Sequence, residues 1–595
     1  MANNYTPYHI HTMLSNGVTN VDSITDFHDY IDKAKKLGMT AFCFSEHGSL
    51  FAWLKKKEYI EECGMKYIHG IEAYLTEDDE FTSEKTRDNY HCILIAKNYD
   101  GVKELNTLIS RSFNRADYHY YYYPRVTFEE LFKTSDNIIV TSACLGGALF
   151  SGTPTAKEKF LSFVIKNKHR CYLEIQHHNC KDQIEYNKRL YELHKTYGIP
   201  LIAGTDSHAI NQFHMEGRAI LQKGKGVRFS NEDEWDLSFK SYDELIAAYR
   251  KQNSLPMSVV LQAIANTNSM ADSVEEFTID YNTKYPKLYA DSEQVFREKI
   301  QNGIIWRGID KYPNYQEYLS RIEYEYNVYK HNGAIDFMLL EENYKSEMRR
   351  RNIKFGYSRG SVSGSIIAYL LGITEIDSVK YNLNFERFMN TERVSLADID
   401  TDWLSSDRKA VKDYLYEKKG LYCCDIVTFN TIALKGAIKD ICRGFYYDNI
   451  DHLPKATYKK VKAWDKLQFQ KNENGYIKKT EPYPKGLQNE IRKYSIHKEV
   501  PIEYLKFSEK VIAEAEVDEE TTRAKYPELF KFVDLVNGVV VSVGNHPAGC
   551  VVSPFPVDEW FGTFTTSTDE YPISMLNMKE IDKLNFVKLD ILGLI

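Results

Sequence analysis

The sequence predicts an α/β protein of several domains, the first of them layered or barrel-like. Three features point there. The chain has 595 residues, whereas a single domain seldom exceeds about 250. Residues 1–210 alternate short apolar runs with charged amphipathic segments, the pattern of strands separated by helices. Residues 538–592 return to apolar, strand-like runs after a long helical stretch, so a second sheet is expected late in the chain.

In the first region, residues 41–44, 92–96, 137–141, 171–175 and 200–203 read as buried strands. Metal-ligand residue types gather at their ends. His9 and His11 alternate, which places both imidazoles on one face of a first strand. Glu46 and His47 follow residues 41–44. Glu72, His91, Cys144, Glu174, Asp206 and His208 also fall at or beside strand ends. Imidazole, thiolate and carboxylate suit zinc or manganese, and strand C-termini build the active sites of α/β barrels. One histidine alone is more often structural. Recurrence at strand after strand predicts a metal cluster.

Residues 210–345 read as largely helical, with 241–248 and 318–327 as examples, and show no chemistry. Residues 356–365 form a Gly- and Ser-rich loop that runs into an apolar helix start at 366–371. Glycines let amides approach a phosphate, and a helix N-terminus attracts the anion. Arg359 would add a bidentate contact. Such a loop by itself is also an ordinary turn. Shortly after it, residues 393–403 place Asp398, Asp400 and Asp402 at alternate positions. In a strand the three carboxylates crowd one face, which is costly unless cations sit on it. Mg²⁺ prefers such oxygens, and paired carboxylates suit two-metal phosphoryl transfer. The spacing alone also fits an acidic edge facing water. A phosphate loop just before it sharpens the reading.

Residues 428–443 read as a helix with Lys435 and Lys439 on one face, either a solvated surface or an anion site. Residues 451–498 hold 12 Lys and Arg against 5 Asp and Glu, interleaved with aromatics. Within this patch Lys459, Lys460 and Lys462 are candidates for duplex phosphates, although charge runs also occur on plain surfaces. Residues 538–543, 550–553 and 585–592 read as strands. Asp590 is the sole acid in the last of them and stands two residues after Lys588. A lone aspartate in an apolar strand is unfavourable unless it is paired or binds metal.

Composition bounds the rest. The hydrophobic fraction is 43%, the charged fraction 27% and the net charge −8, so any nucleic-acid surface must be local. No signal peptide or apolar span is evident. The 10 cysteines are scattered, which fits a reducing cytoplasm better than a disulfide framework.

Several blocks together are specific. Residues 359–365 (Arg-Gly-Ser-Val-Ser-Gly-Ser), 371–374 (Leu-Gly-Ile-Thr), 385–388 (Phe-Glu-Arg-Phe) and 392–395 (Glu-Arg-Val-Ser), followed by Asp398-Ile-Asp400, resemble the α subunit of bacterial DNA polymerase III, the C-family replicative polymerases. Ala397 and Trp403 stand where that family has Pro and Phe. The N-terminal residues resemble its polymerase and histidinol phosphatase (PHP) domain, with His9, His11, Glu46, His47, Glu72, His91, Cys144, Asp206 and His208 at motif positions. Asn16 stands where an acidic ligand is common, and Glu46 where Asp is usual, which implies that one metal is lost or weakly held.

The resemblance implies a distorted (β/α) barrel PHP domain over 1–270. A nucleotidyltransferase palm, polymerase β-like, would occupy 271–430 and 537–595, with a helical thumb over 431–536. It implies a DNA-directed DNA polymerase with Asp398, Asp400 and Asp590 on two Mg²⁺ ions. Arg359, Gly364, Ser365, Lys435 and Lys588 would face the triphosphate. Zn²⁺ or Mn²⁺ would sit in the PHP domain, with possible 3′–5′ exonuclease activity. Expected partners are primer–template DNA, dNTPs, other replisome subunits and a C-terminal polypeptide carrying the fingers, which the chain is expected to lack. Two alternatives remain: a phosphoesterase using only the first domain, or a non-catalytic, partner-binding half.

Overall fold

The computed structural model describes residues 4–77, 86–227, 235–392, 399–467, 469–472, 475–478, 482–500 and 504–593. The first sheet has eight strands: β1 (Ala41–Phe44), β2 (Lys66–Thr76), β3 (Tyr90–Ala96), β4 (Tyr120–Tyr121), β5 (Tyr123–Thr127), β6 (Ile138–Thr141), β7 (Cys171–Ile175) and β8 (Leu201–Ala203). The order is β4-β5-β2-β3-β6-β7-β8, with β1 also on β2. β1 and β6 are buried at every residue, as strands covered on both faces must be. Helices such as Phe27–Lys36 and Tyr242–Gln252 coat the outside. The second begins with a Ser241/Glu244 capping box, which satisfies amides otherwise left without partners.

His9 and His11 do not lie on a regular strand, contrary to the alternation argument. The segment 7–11 bridges two elements instead. Cys43 N–H donates to Pro7 O and Ser45 N–H to Ile10 O, while His11 N–H donates to Ser207 O. This segment fills the space between β1 and the end of β8, and so completes the curl of the barrel. Glu72 is another correction. It lies inside β2, an eleven-residue strand, rather than at a strand end.

The second sheet contains β9 (Thr401–Asp402), β10 (Tyr422–Thr431), β13 (Val540–Ser553), β14 (Thr563–Phe564), β15 (Ile573–Asn577) and β16 (Val587–Leu592), ordered β14-β15-β10-β13-β16-β9. A separate hairpin, β11 (Phe469–Asn472) and β12 (Gly475–Lys478), interrupts it. Three expectations change here. Residues 428–431 end β10, and the helix starts at Leu434. The two predicted strands 538–543 and 550–553 are one strand, β13. Its pairing to β10 jumps between Asp425–Cys550 and Ile426–His546, so β13 carries extra residues there. The aspartate strand is only two residues long, and Asp398 lies outside the described residues.

One face of this sheet is covered by the helices Ser292–Arg307, Tyr315–His331 and Ile335–Arg350, around a core that includes the fully buried Trp403. The other face packs against the first domain. Cys424, Ile426, Val551, Phe561 and Met575 share one core with Phe51, Trp53 and the barrel strands. The helices between β10 and β13 form a third core. It docks through a close helix crossing. A Cβ on Gly444 would lie 2.2 Å from Ile220 O, and one on Gly224 would lie 2.1 Å from Asp440 O. Only glycine permits that approach.

Candidate functional site

The first centre lies inside the curl of the barrel. His9 and His11 come from the segment 7–11, Glu72 from β2 and His91 from β3. Cys144, Asp206 and His208 come from the turns after β6 and β8. β2 and β3 are antiparallel, with Tyr74 opposite His91, which brings Glu72 and His91 to the same end. His91 Nδ1 is 3.0 Å and His47 Nδ1 2.9 Å from the two oxygens of Glu72. His9 Nε2 is 3.2 Å and His11 Nε2 3.4 Å from Asp206 Oδ1. Cys144 Sγ is 3.3 Å from His91 Nδ1. Asp206 holds φ at +47°, a left-handed backbone that costs about 1–3 kcal/mol and survives where packing imposes it.

Behind this layer, Glu174 binds His9 Nδ1 at 2.6 Å, so His9 offers Nε2 to the centre, as outer partners of ligating imidazoles do. Burial opposes charge on His9, yet Glu174, Asp206 and Glu72 outweigh it and hold its imidazole well above the usual range. His11 stacks on both His47 and His208. Burial and those two rings push it down to about 4. Burial alone would raise Glu72 and Asp206, but the imidazoles around them keep both well below the ordinary carboxylate range.

Three readings change. Glu46 is not part of the cluster. Its carboxylate pairs with Lys56 Nζ at 2.5 Å and accepts from Thr12 N–H, Thr12 Oγ1 and Ser15 Oγ. Asp22 is part of it, 3.4 Å from both His47 Nε2 and His208 Nε2. Asn16 is not a failed ligand. Its Oδ1 accepts from Asp22 N–H and Ser23 N–H, and its Nδ2 donates to Ser23 O and Val540 O. It therefore holds the turn that delivers Asp22 and ties that turn to β13. An acid lying shortly downstream of the paired histidines was the available signal.

The residues fit bound cations. His9 Nε2, His11 Nε2, His47 Nδ1, Glu72 Oε2 and Asp22 Oδ2 are buried, and their close approaches lack hydrogen-bond geometry, an unfavourable state that metal coordination relieves. Ligand atoms of His11, Asp22, His47 and His208 fall within 4.8 Å of one another, as do those of His9, His11 and Asp206 and those of His47, Glu72 and His91. The groups share His11 and His47, which suits neighbouring cations.

The second centre lies at the end of the second sheet. β9 and β16 are parallel, with Thr401 opposite Ile591 and Asp402 opposite Leu592. Asp400 and Asp590 each precede the first pair, so they stand side by side on one face. Thr401 and Ile591 point into the core, while both aspartates are half-exposed. Lys588 shares the Asp590 face and pairs with Asp582 at 3.3 Å. Arg359 crosses to this face, 3.7 Å from Asp400 Oδ2 and 3.0 Å from Asp402 Oδ1. Adjacent carboxylates with hard oxygen donors suit divalent cations.

The helix N-terminus predicted for phosphate is already taken. Glu325, fully buried, accepts from Ile366 N–H, Ile367 N–H and Ser365 Oγ. Ser365 is buried and bonded to Tyr329, and Gly364 is buried against Asn384 O. Both therefore shape the loop from behind, and its exposed residues are Tyr357, Arg359 and Gly360. Lys435 is exposed and 3.4 Å from Glu516. Lys459, Lys460 and Lys462 lie exposed on the helix Lys455–Leu467, with Lys460 paired to Glu490. No helix among the described residues is long and apolar enough to cross a membrane.

A barrel lined by buried histidines and carboxylates, joined to a sheet with aspartates on neighbouring strands, defines an α/β protein with two acidic centres suited to divalent cations. The chain belongs to the bacterial DNA polymerase III alpha family: the model for the "Bacterial DNA polymerase III alpha NTPase domain" matches residues 294–593, and the PHP domain model matches residues 7–178. The chain is 29% identical to DNA polymerase III subunit alpha of Aquifex aeolicus, over 100% of this chain and 51% of that protein. Identity to the Borreliella burgdorferi protein of that name is 28%, over 98% and 48%. With Helicobacter pylori J99 it is 29%, over 74% and 38%. The chain thus spans about half the length of the curated relatives it matches. Both matches imply divalent metal ions.

Proposed function

We propose that this chain carries the PHP domain, palm and thumb of a DNA-directed DNA polymerase that extends a primer 3′-hydroxyl with dNTPs on a DNA template. The side-by-side placement of Asp400 and Asp590 is the observation that carries this reading. With Asp398 they would hold two Mg²⁺ ions. Ions there supply charge neutralisation for the attacking oxygen and the triphosphate. The chain's own residues do the positioning: Arg359 and Lys588 reach toward phosphate oxygens from the same face. Lys435 would reach the triphosphate, and the exposed Lys459, Lys460 and Lys462 of the thumb would meet primer–template phosphates. The division 1–270, 271–430, 431–536 and 537–595 follows from this reading, as do replisome partners and a cytoplasmic setting.

In the PHP centre we assign His9, His11, Asp22, His47, Glu72, His91, Cys144, Asp206 and His208 to Zn²⁺ or Mn²⁺. Phosphodiester hydrolysis is the chemistry such a cluster supports, and the family resemblance gives it the 3′–5′ direction.

Primer extension tests the polymerase reading. It is measured for the chain with a polypeptide supplying the remaining half of its relatives. Asp400→Asn should abolish extension without altering the melting temperature. Extension at the parent rate would sink the assignment.

A further inference from the structure

Asp402 has no part in the reading above, although it is the third of the alternating aspartates. Its surroundings give it one. Its Oδ1 is 3.0 Å from Arg359 Nη1, and its carbonyl accepts from Gly356 N–H. A Cβ on Gly356 would sit 3.3 Å from Asp402 Cβ, so the loop bearing Arg359 is pinned closely to β9. The same guanidinium lies 3.7 Å from Asp400 Oδ2. Arg359 therefore has a shorter contact to Asp402 and a longer one to Asp400. A small dent beneath it is lined by Ser358, Thr374, Asp400 and Asp402. The Ser358 Oγ and Thr374 Oγ1 atoms there are buried without hydrogen-bond partners.

This arrangement does little for stability, because Arg359 is 43% exposed and exposed ion pairs contribute little. It does decide where the guanidinium sits. A divalent cation and a guanidinium compete for the same carboxylate oxygens. When a cation takes Asp400, the longer contact is the one released. The Asp402 contact would remain and keep the planar donor fork at the site, where it could take a phosphate bidentately.

We propose that Asp402 is a positioning residue: it tethers Arg359, so that the arginine yields Asp400 to a divalent cation yet stays at the site to grip the incoming triphosphate. The proposal rests on the polymerase reading of Asp400 and Arg359.

A double-mutant cycle tests it, with Mn²⁺ binding as the readout. Free Mn²⁺ is counted by electron paramagnetic resonance, and the palm contribution is taken as the part lost in Asp400→Asn. In Asp402→Asn, Arg359 is freed to pair with Asp400, and palm Mn²⁺ affinity should fall about 10-fold. In an Arg359→Ala background the same change should cost less than about 2-fold, because non-additivity marks a shared contact. Equal losses in both backgrounds would make Asp402 a direct ligand and overturn the tether. No loss in either would overturn it as well. A second cycle measures dATP binding in Ca²⁺. Arg359→Ala should weaken binding, Asp402→Asn should weaken it by a similar factor, and the double variant should be no weaker than Arg359→Ala. Additive losses there would also overturn the tether. If Asp400→Asn removes no Mn²⁺, the polymerase reading of the palm fails first, and that result is separate from a failed cycle.

Discussion

Asp400 and Asp590 stand side by side, each one residue before the Thr401–Ile591 pair that joins parallel β9 and β16. They are far apart in sequence, and only this pairing makes them one site. Asp590→Asn should therefore match Asp400→Asn in primer extension, each lowering the rate by roughly three orders of magnitude or more. The double variant should lose little further activity, since groups that act as a unit are not additive. Multiplicative losses would show that the two carboxylates act separately.

In the PHP centre, Asp22 and Glu46 should behave oppositely. Asp22→Asn should lower the transition-metal content of purified protein, read by elemental analysis, with the melting temperature in chelator little changed. Glu46→Gln should retain metal. It leaves Lys56 buried and unpaired, and loss of one partner from such a pair costs about 3–5 kcal/mol. Denaturant titration measures that cost.

Glu325 is expected to be structural for the Gly- and Ser-rich loop. It caps the helix Ile366–Leu370 through two amides and the Ser365 hydroxyl. Glu325→Ala would leave these donors buried and unsatisfied, at about 1–3 kcal/mol each at most. Chemical denaturation should report the loss. An unchanged midpoint would mean that another group can replace the cap.

The helical region between β10 and β13 should show a pH signature. His497 lies between Asp448 (Nε2, 2.8 Å) and Glu528 (Nδ1, 2.7 Å) and stacks on Phe445, while Lys223 also pairs with Asp448. Burial lowers its affinity for a proton, but the two carboxylates outweigh burial and raise its pKa above 6.5. A raised folded-state value adds stability that is full below the unfolded pKa and fades as pH rises through the folded one. The melting-temperature loss in His497→Gln should therefore be larger at pH 6 than at pH 9. A loss independent of pH would contradict the ion pairs.

Reversing Lys459, Lys460 and Lys462 to Glu should weaken duplex binding and flatten its dependence on salt, because fewer phosphate counterions are released. Single reversals should differ. Lys460 is already paired with Glu490 at 2.6 Å, so Lys459→Glu and Lys462→Glu should change the slope more. An unchanged slope in the triple variant would make this helix an ordinary charged surface.

Residue type and short-range spacing were enough to find β1, β3, β6, β7 and β8 of the barrel, the Gly/Ser loop, the basic stretch and nearly all of the buried candidate ligands, but not β2, β4 or β5. Those features depend on neighbours two to four positions away, which the linear order preserves. The same information failed where a side chain's partner comes from elsewhere. Alternation placed His9 and His11 on a strand, but the backbone there bonds to Cys43, Ser45 and Ser207 instead of to a regular neighbour. Nothing local separates Glu46 from Asp22. Both are buried carboxylates, and one is neutralised because Lys56 reaches it, while the other faces His47 and His208. The loop before Ile366 looked open to phosphate until Glu325 arrived from a distant helix to fill its N-terminus.

The sequence by itself therefore determined which residue types carry chemistry and the family in which they belong. The tertiary structure alone decided which carboxylates meet a cation, which meet a lysine or an arginine, and which cap a helix. The physical reason is that a carboxylate takes whatever positive group folding brings within hydrogen-bond reach, and strand pairing and loop closure, not spacing along the chain, select that group.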